Sequence, residues 1–191
     1  MCCSNNIKIT VIPKNTFSVK RKCQKCKDKT TYKNTDHFRI NANGSNLDIW
    51  MIYQCETCKS TYNLSIYERI KPDTITVAQY QKFMENDKQL IRQYGLDRNI
   101  FKANKAEIQE KNVKYNLNIE KSTNTNQQED TIQINNPSQL KIRIDKIISE
   151  QLNLSRDIIK KMILEEKIKS EEVISFNRPI SLENIKVTII K

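Results

Sequence analysis

Two Cys-x-x-Cys pairs, Cys23-Gln24-Lys25-Cys26 and Cys55-Glu56-Thr57-Cys58, constrain this chain more than any other feature. Each places two sulfurs on one side of a tight turn, and together they can put four thiolates at the corners of a tetrahedron, the arrangement that structural zinc demands. Two alternatives exist. A redox Cys-x-x-Cys needs only one pair beside a helix N-terminus, and two buried disulfides would suit a secreted chain. The four-sulfur reading is the expectation, with Cys23, Cys26, Cys55 and Cys58 holding one structural Zn²⁺ per chain.

The intervening residues support it. Phe38 and Ile40 sit in a short strand that approaches Asn43-Gly44, a tight-hairpin signal because both residues tolerate positive φ. Leu47 to Tyr53 reads as the return strand, bringing the second pair back beside the first, and Thr61 to Tyr67 as a third. Before the first pair, Ile7, Ile9 and Val11 alternate with polar residues up to Pro13, and Phe17 and Val19 alternate again. Three strands with cysteine turns at their ends make a zinc ribbon, whose small core leaves much of the folding free energy to the metal. His37, the only histidine, lies in strand and is expected at the surface rather than as a ligand. Trp50, Tyr53 and Tyr62 have the chemistry to stack on bases, but core packing beneath the ribbon is the favoured role.

Charge bears on partners. Of the net +11, residues 1–70 hold +7, and the excess gathers at the first cysteine pair as Lys20, Arg21, Lys22, Lys25, Lys27, Lys29 and Lys33. One Zn²⁺ on four thiolates removes about two units, so the patch stays basic. Such a patch suits nucleic-acid phosphates, and a solvated lysine face is the plain alternative. Lys20, Arg21, Lys22 and Lys25 are the candidate contacts here. No apolar run is long enough to cross a bilayer and no leader precedes Cys2 and Cys3, read as an exposed, incidental pair, so a cytoplasmic protein with reduced thiols is expected.

Further along, Thr76, either Asn86 or Asp87, and Asp97 are candidate N-caps of helical segments between residues 72 and 103. Val77, Tyr80, Phe83 and Met84 form one apolar face, and Leu90, Ile91 and Tyr94 another, with Gly95 as a stop. Val113, Tyr115, Leu117 and Ile119 alternate as a strand, and the polar run Lys121 to Asp130 reads as a linker or a long hairpin tip. From Leu140 the pattern turns helical again. Ile144, Ile147, Ile148 and Leu152 mark one helix, and Ile158, Ile159, Met162 and Ile163 a second, capped by Ser155. Val173-Ile174 and Ile185 to Ile190 read as strands.

The segment Ile142-Arg143-Ile144-Asp145-Lys146-Ile147, followed by Leu154-Ser155-Arg156, resembles the S-four-type RNA-binding module, or αL motif. That family binds structured RNA through basic residues on its two helices. By position, the resemblance implies Arg143, Lys146, Arg156, Lys160 and Lys161 as RNA contacts. Arg156 and Lys160, four apart, share a helix face. Glu165-Glu166 stand where that family often has glycine, and they dilute the positive face. The order of motifs along nearly the whole chain, from the cysteine pairs through Phe38 to Asn43, Leu47 to Trp50, Tyr67-Glu68-Arg69 and Asn86-Asp87, resembles the bacterial family designated domain of unknown function 1062. Lys27 and Lys59 replace the glycines usual after each pair's second cysteine.

The expected fold is therefore α+β: a small antiparallel zinc-ribbon-like sheet with packed helices, followed by a compact S-four-like helix-helix-strand module. The expected boundaries are 1–70 for the ribbon, 71–119 for helices and a strand packing on it, 120–138 for a linker or hairpin tip, and 139–191 for the module. The expected function is binding of structured RNA, ribosomal or transfer, without catalysis. The alternative is a DNA-binding regulator or a protein adaptor docking through the ribbon. No Ser/His/Asp set, glycine-rich phosphate loop or open metal position points to an enzyme or a small-molecule substrate, and no membrane partner is expected.

Overall fold

A computed structural model describes residues 4–124 and 129–190; Cys2 and Cys3 lie outside them. The described chain is mixed α+β, with two five-stranded, largely antiparallel sheets and five α-helices. It forms two compact units, one from residues 15–114 and one joining the described parts of 1–14 and 115–191.

In the 15–114 unit the strands are β2 (Ser18–Lys22), β3 (Lys29–Asn43), β4 (Asn46–Cys55), β5 (Thr61–Ile70) and β6 (Glu107–Gln109), in the order β5-β4-β3-β2-β6. β4 alternates half-buried and buried residues without a break, so Leu47, Ile49, Met51, Tyr53 and Cys55 share one face. The hairpin turn is Gly44-Ser45, closed by Asn43 opposite Asn46. It lies one residue beyond the expected Asn43-Gly44 and needs positive φ only at Gly44 (61°), as a type II′ turn does.

Three short helices cover the inner face: α1 (Val77–Met84), α2 (Lys88–Gly95) and α3 (Arg98–Ala103). Thr76, Asp87 and Asp97 cap them, accepting hydrogen bonds from the amides of Gln79, Leu90 and Asn99. The core is aromatic. Phe83 meets Phe38 edge-on with centroids 4.9 Å apart, and Phe101 does the same against Phe17 at 5.6 Å. Of the apolar face expected on α1 only Phe83 is buried; Val77, Tyr80 and Met84 are exposed.

The second unit corrects the expected division. The strand read from Ile7, Ile9 and Val11 is β1 (Ser4–Pro13), and it does not join the cysteine-bearing sheet. It lies between β7 (Tyr115–Asn124), antiparallel to it, and β8 (Asp130–Asn135), parallel to it. The sheet continues through β10 (Asn184–Ile189) to β9 (Ile168–Ser170). Hence the strand after Val113 pairs with the N-terminal strand and belongs to this sheet, not to the cysteine-bearing one. The stretch 120–138 is mostly strand, and β7 and β8 are not a hairpin because β1 separates them. Residues 125–128 lie outside the described residues. Val173-Ile174 is not strand. Helices α4 (Ile144–Leu152) and α5 (Arg156–Leu164) bury Ile144, Ile147, Ile148 and Ile159, and Ser155 caps α5 by accepting from the Ile158 amide.

With two glycines in the chain, left-handed positions fall to other residues. Asn86, Lys105 and Glu166 follow the ends of α1, α3 and α5 with φ of 53°, 50° and 57°. After α5 the amides of Glu166 and Lys167 donate to the carbonyls of Ile163 and Met162, the Schellman pattern. Gly95 is needed for a different reason from the expected left-handed stop. A Cβ there would lie 2.4 Å from Thr16 Cγ2, at the point where its carbonyl accepts from the Phe17 amide. Gly95→Ala is therefore expected to destabilise the protein by about 1–3 kcal/mol through overpacking, read as a lower urea midpoint at unchanged slope.

Candidate metal centre and basic clusters

The strands of the 15–114 unit carry both cysteine pairs to one end of the sheet. Cys23 directly follows β2, and Cys55, the last residue of β4, stands opposite Tyr32 of β3. The two turns repeat one geometry. Cys23 N–H donates to Asp28 O and Lys27 N–H to Cys23 O; Cys55 N–H donates to Ser60 O and Lys59 N–H to Cys55 O. Lys27 (φ 64°) and Lys59 (φ 62°) are both left-handed, the conformation that explains why glycine is usual there.

All four are free cysteines, and their sulfurs lie within 4.8 Å of one another, with Cys23 to Cys58 at 3.4 Å and Cys26 to Cys55 at 4.0 Å. A tetrahedral ion bound through sulfur at about 2.3 Å needs sulfur–sulfur edges of about 3.8 Å. The cluster therefore fits a structural metal ion. Hydroxyls surround it: Ser60 Oγ lies 3.2 Å from Cys23 Sγ and 3.1 Å from Cys58 Sγ, and Thr30 Oγ1 is 3.2 Å from Cys55 Sγ.

The thiols respond differently. Ser60, with Tyr32 and the Cys26 amide, lowers Cys23 to about 5. The Cys58 amide, with Thr30, lowers Cys55. Cys26 is pushed up to about 12, first by its hydrogen bond with Cys58, then by burial and by Cys23 and Cys55. Like charges this close do not all ionise without a cation between them.

The basic residues at this end divide. Register puts Lys20 opposite Thr31 and Lys22 opposite Lys29, on the sheet face away from the helices. Arg21 faces the other way, its guanidinium 3.6 Å from the centre of the Tyr62 ring, where it stacks. Lys25 is exposed in the first cysteine turn. Of the three aromatics, Tyr53 is buried and donates to Phe17 O, Tyr62 lies under Arg21, and Trp50 is half-buried on the face away from the helices. His37 is exposed.

In the other unit the expected contacts are drawn together by a residue that had no assigned role. Asp145 is fully buried, and both arginines reach it: Arg143 Nε and Nη2 at 3.1 and 2.6 Å, Arg156 Nε and Nη2 at 3.3 and 3.2 Å. Burial pushes the Asp145 carboxyl up, but the hydrogen bond and charge of Arg143, with Arg156, more than reverse this and hold it below its ordinary value. The signal in the sequence was the spacing: Asp145 sits two residues from Arg143 and eleven from Arg156, one helix start away. Lys146, Lys160 and Lys161 are exposed, near Glu150 (3.8 Å), Asp157 (3.2 Å) and Glu165 (3.8 Å), surface pairs of small energy.

The site and fold define an α+β protein of two units, one with a four-cysteine cluster fit for a metal. The chain belongs to the family described as protein of unknown function (DUF1062), whose profile matches residues 40–173. That match spans parts of both units and begins after Cys23 and Cys26. No curated protein and no solved structure matches the chain. No helix among the described residues is long and apolar enough to cross a membrane.

Elemental analysis is expected to find about one metal ion per parent chain and none in Cys55→Ser, which should also melt at a lower temperature. Acid titration tests Asp145. Because its folded pKa is depressed, its contribution is present above the unfolded value and lost as pH falls through the folded one. Asp145→Asn should therefore flatten the fall in stability below about pH 4, measured by urea unfolding.

Proposed function

We propose that this is a zinc-containing RNA-binding protein without catalysis, in which the cysteine-bearing sheet is a zinc-ribbon-like platform and residues 139–191 form an S-four-type surface for structured RNA, ribosomal or transfer. The observation that carries the reading is the pairing of Arg143 and Arg156 with one buried carboxylate. Two guanidinium charges against one carboxylate leave a net positive charge. Each arginine uses Nε and Nη2 on Asp145, and the side chains remain 35% and 44% exposed. The remaining donors are held in a fixed fork, the geometry that matches a phosphate. These are two of the positions at which the S-four resemblance places RNA contacts, and Lys146, Lys160 and Lys161 add exposed charge around them.

Zinc suits the four-sulfur donor set, which closes the coordination shell and gives the ion a structural role. Cytoplasmic reducing conditions fit free thiols. A second reading, a protein adaptor, is favoured by the exposed apolar row Val77, Tyr80 and Met84 on α1. A DNA-binding regulator remains the other form of the same basic surface.

Gel-shift titration of a transfer-RNA-sized stem-loop across salt tests the proposal. Arg143→Ala with Arg156→Ala should weaken binding and reduce the salt slope by about two units if both arginines contact phosphates. Equal binding of duplex DNA, unchanged by both substitutions, overturns it.

A further inference from the structure

A sheet has two faces, and the three helices of the 15–114 unit cover only one. The packing of Phe83 and Tyr94 on Phe38, and of Phe101 on Tyr53, puts α1, α2 and α3 on the side of the buried β4 residues. No helix of that kind covers the opposite side; only the 3-10 turn Glu110–Asn112 reaches it, where Asn112 donates to the buried Ser18 at the β2–β6 edge. Register lists what that side presents. Trp50 and Ile52 stand two apart on β4, and Arg39 of β3 is directly opposite Trp50. Lys33 lies opposite Gln54, while Lys29 is opposite Lys22 and Lys20 is one place on from it on the same face.

Three properties separate this face from an ordinary solvated one. It carries five basic residues, Lys20, Lys22, Lys29, Lys33 and Arg39, which outnumber its acidic ones. Glu107 pairs with Lys29, and Asp48 accepts from the Arg69 amide at 2.9 Å; Glu56, at the rim, pairs with Lys33. Lys20, Lys22 and Arg39 have no ion pair among the described residues. Next, the chain's single tryptophan is placed here, half-buried, while Tyr53, Phe83 and Phe101 fill the core on the other side. Finally, a shallow depression of about 420 Å³ borders it at the cysteine end, where Lys33 and Gln54 of this face meet Asn34, Cys55, Glu56 and Lys59. On β3 alone, Lys29 to Arg39 spans about 26 Å at about 3.3 Å per extended residue, because the bulge between Asn34 and Phe38 sets four steps of β3 against two of β4.

We infer that this open face binds single-stranded RNA, with Trp50 stacking on a base and Arg39, Lys20 and Lys22 tracking the phosphates. Charge complementarity selects a polyanion, and a tryptophan set among cations on an open sheet selects one whose bases are unpaired. Duplex nucleic acid hides its bases from such a platform. The inference takes from the RNA reading above only the choice of RNA. It uses none of the residues of that reading, Arg143 and Arg156 belonging to the other unit, so the two are tested by different substitutions.

Because Trp50 is the only tryptophan, emission excited at the red edge of its absorption, where the tyrosines do not absorb, reports on this face alone. Titration with a dodecauridylate should quench that emission saturably, with affinity falling steeply as salt rises. Lys22→Ala with Arg39→Ala changes exposed side chains and should weaken binding about tenfold or more at unchanged melting temperature. Arg143→Ala with Arg156→Ala should leave the quenching intact. Trp50→Leu, followed by anisotropy of a 5′-labelled dodecauridylate, should lose roughly 5- to 100-fold in affinity. Absence of quenching, or quenching unaffected by salt and by Lys22→Ala with Arg39→Ala, overturns the inference. Stem-loop binding through Arg143 and Arg156 would survive that result.

Discussion

Four thiols drawn to one point set the frame of the 15–114 unit. Cys23 and Cys26 belong to the turn between β2 and β3, Cys55 and Cys58 to the turn between β4 and β5, and their sulfurs can share one centre only if those turns lie at the same end of the sheet. That condition fixes Tyr32 opposite Cys55, and the alternation of β4 carries the same face forward through Tyr53, Met51 and Ile49. The inner face then has large apolar side chains along its length. Three short helices cover it with Phe83, Tyr94 and Phe101, so the outer face is left with Trp50 and the lysines.

The second unit turns on a different constraint. A buried carboxylate is costly unless its charge is matched and its lone pairs are filled. Asp145 meets both conditions through Arg143, Arg156 and the Lys146 amide. The consequence reaches the surface, because the starts of α4 and α5 are tied together and two long side chains are ordered on folding. A phosphate meeting them would immobilise less than it would on free arginines. Asn136, also fully buried, does the equivalent work on the backbone, bonding the carbonyls of Leu140 and Leu182 and the Leu140 amide.

Much of the local structure was legible because its causes are local. Thr76, Asp87, Asp97 and Ser155 cap helices where their side chains and the following periodicity indicated. The strand containing Ile7 lies where alternation put it, and those containing Leu47 and Tyr62 where the hairpin signal and the second cysteine pair put them. The apolar face of α1 was misread, since Val77, Tyr80 and Met84 repeat at helical spacing yet only Phe83 meets the sheet. Periodicity shows that a stripe exists and is silent on whether anything covers it. Val173-Ile174 failed as a strand for a related reason: two β-branched residues favour extended backbone, but no neighbouring strand pairs with them.

The sequence by itself determined the two cysteine turns and which four residues could share an ion, because Cys-x-x-Cys spacing sets two sulfurs on one side of a turn whatever surrounds it, while the strands between brought the turns together. It also determined the helix starts and the alternation of the strands, which rest on hydrogen bonds and side-chain directions within a few residues. Only the tertiary structure decided that β1 leaves the cysteine-bearing sheet to separate β7 from β8, that Arg21 turns from Lys20 and Lys22 to stack on Tyr62, and that Arg143 and Arg156 converge on Asp145. Each of these joins residues distant in the chain or chooses between two faces of one strand. Such choices depend on which partner buries more surface or satisfies more charge, a competition settled across the whole fold.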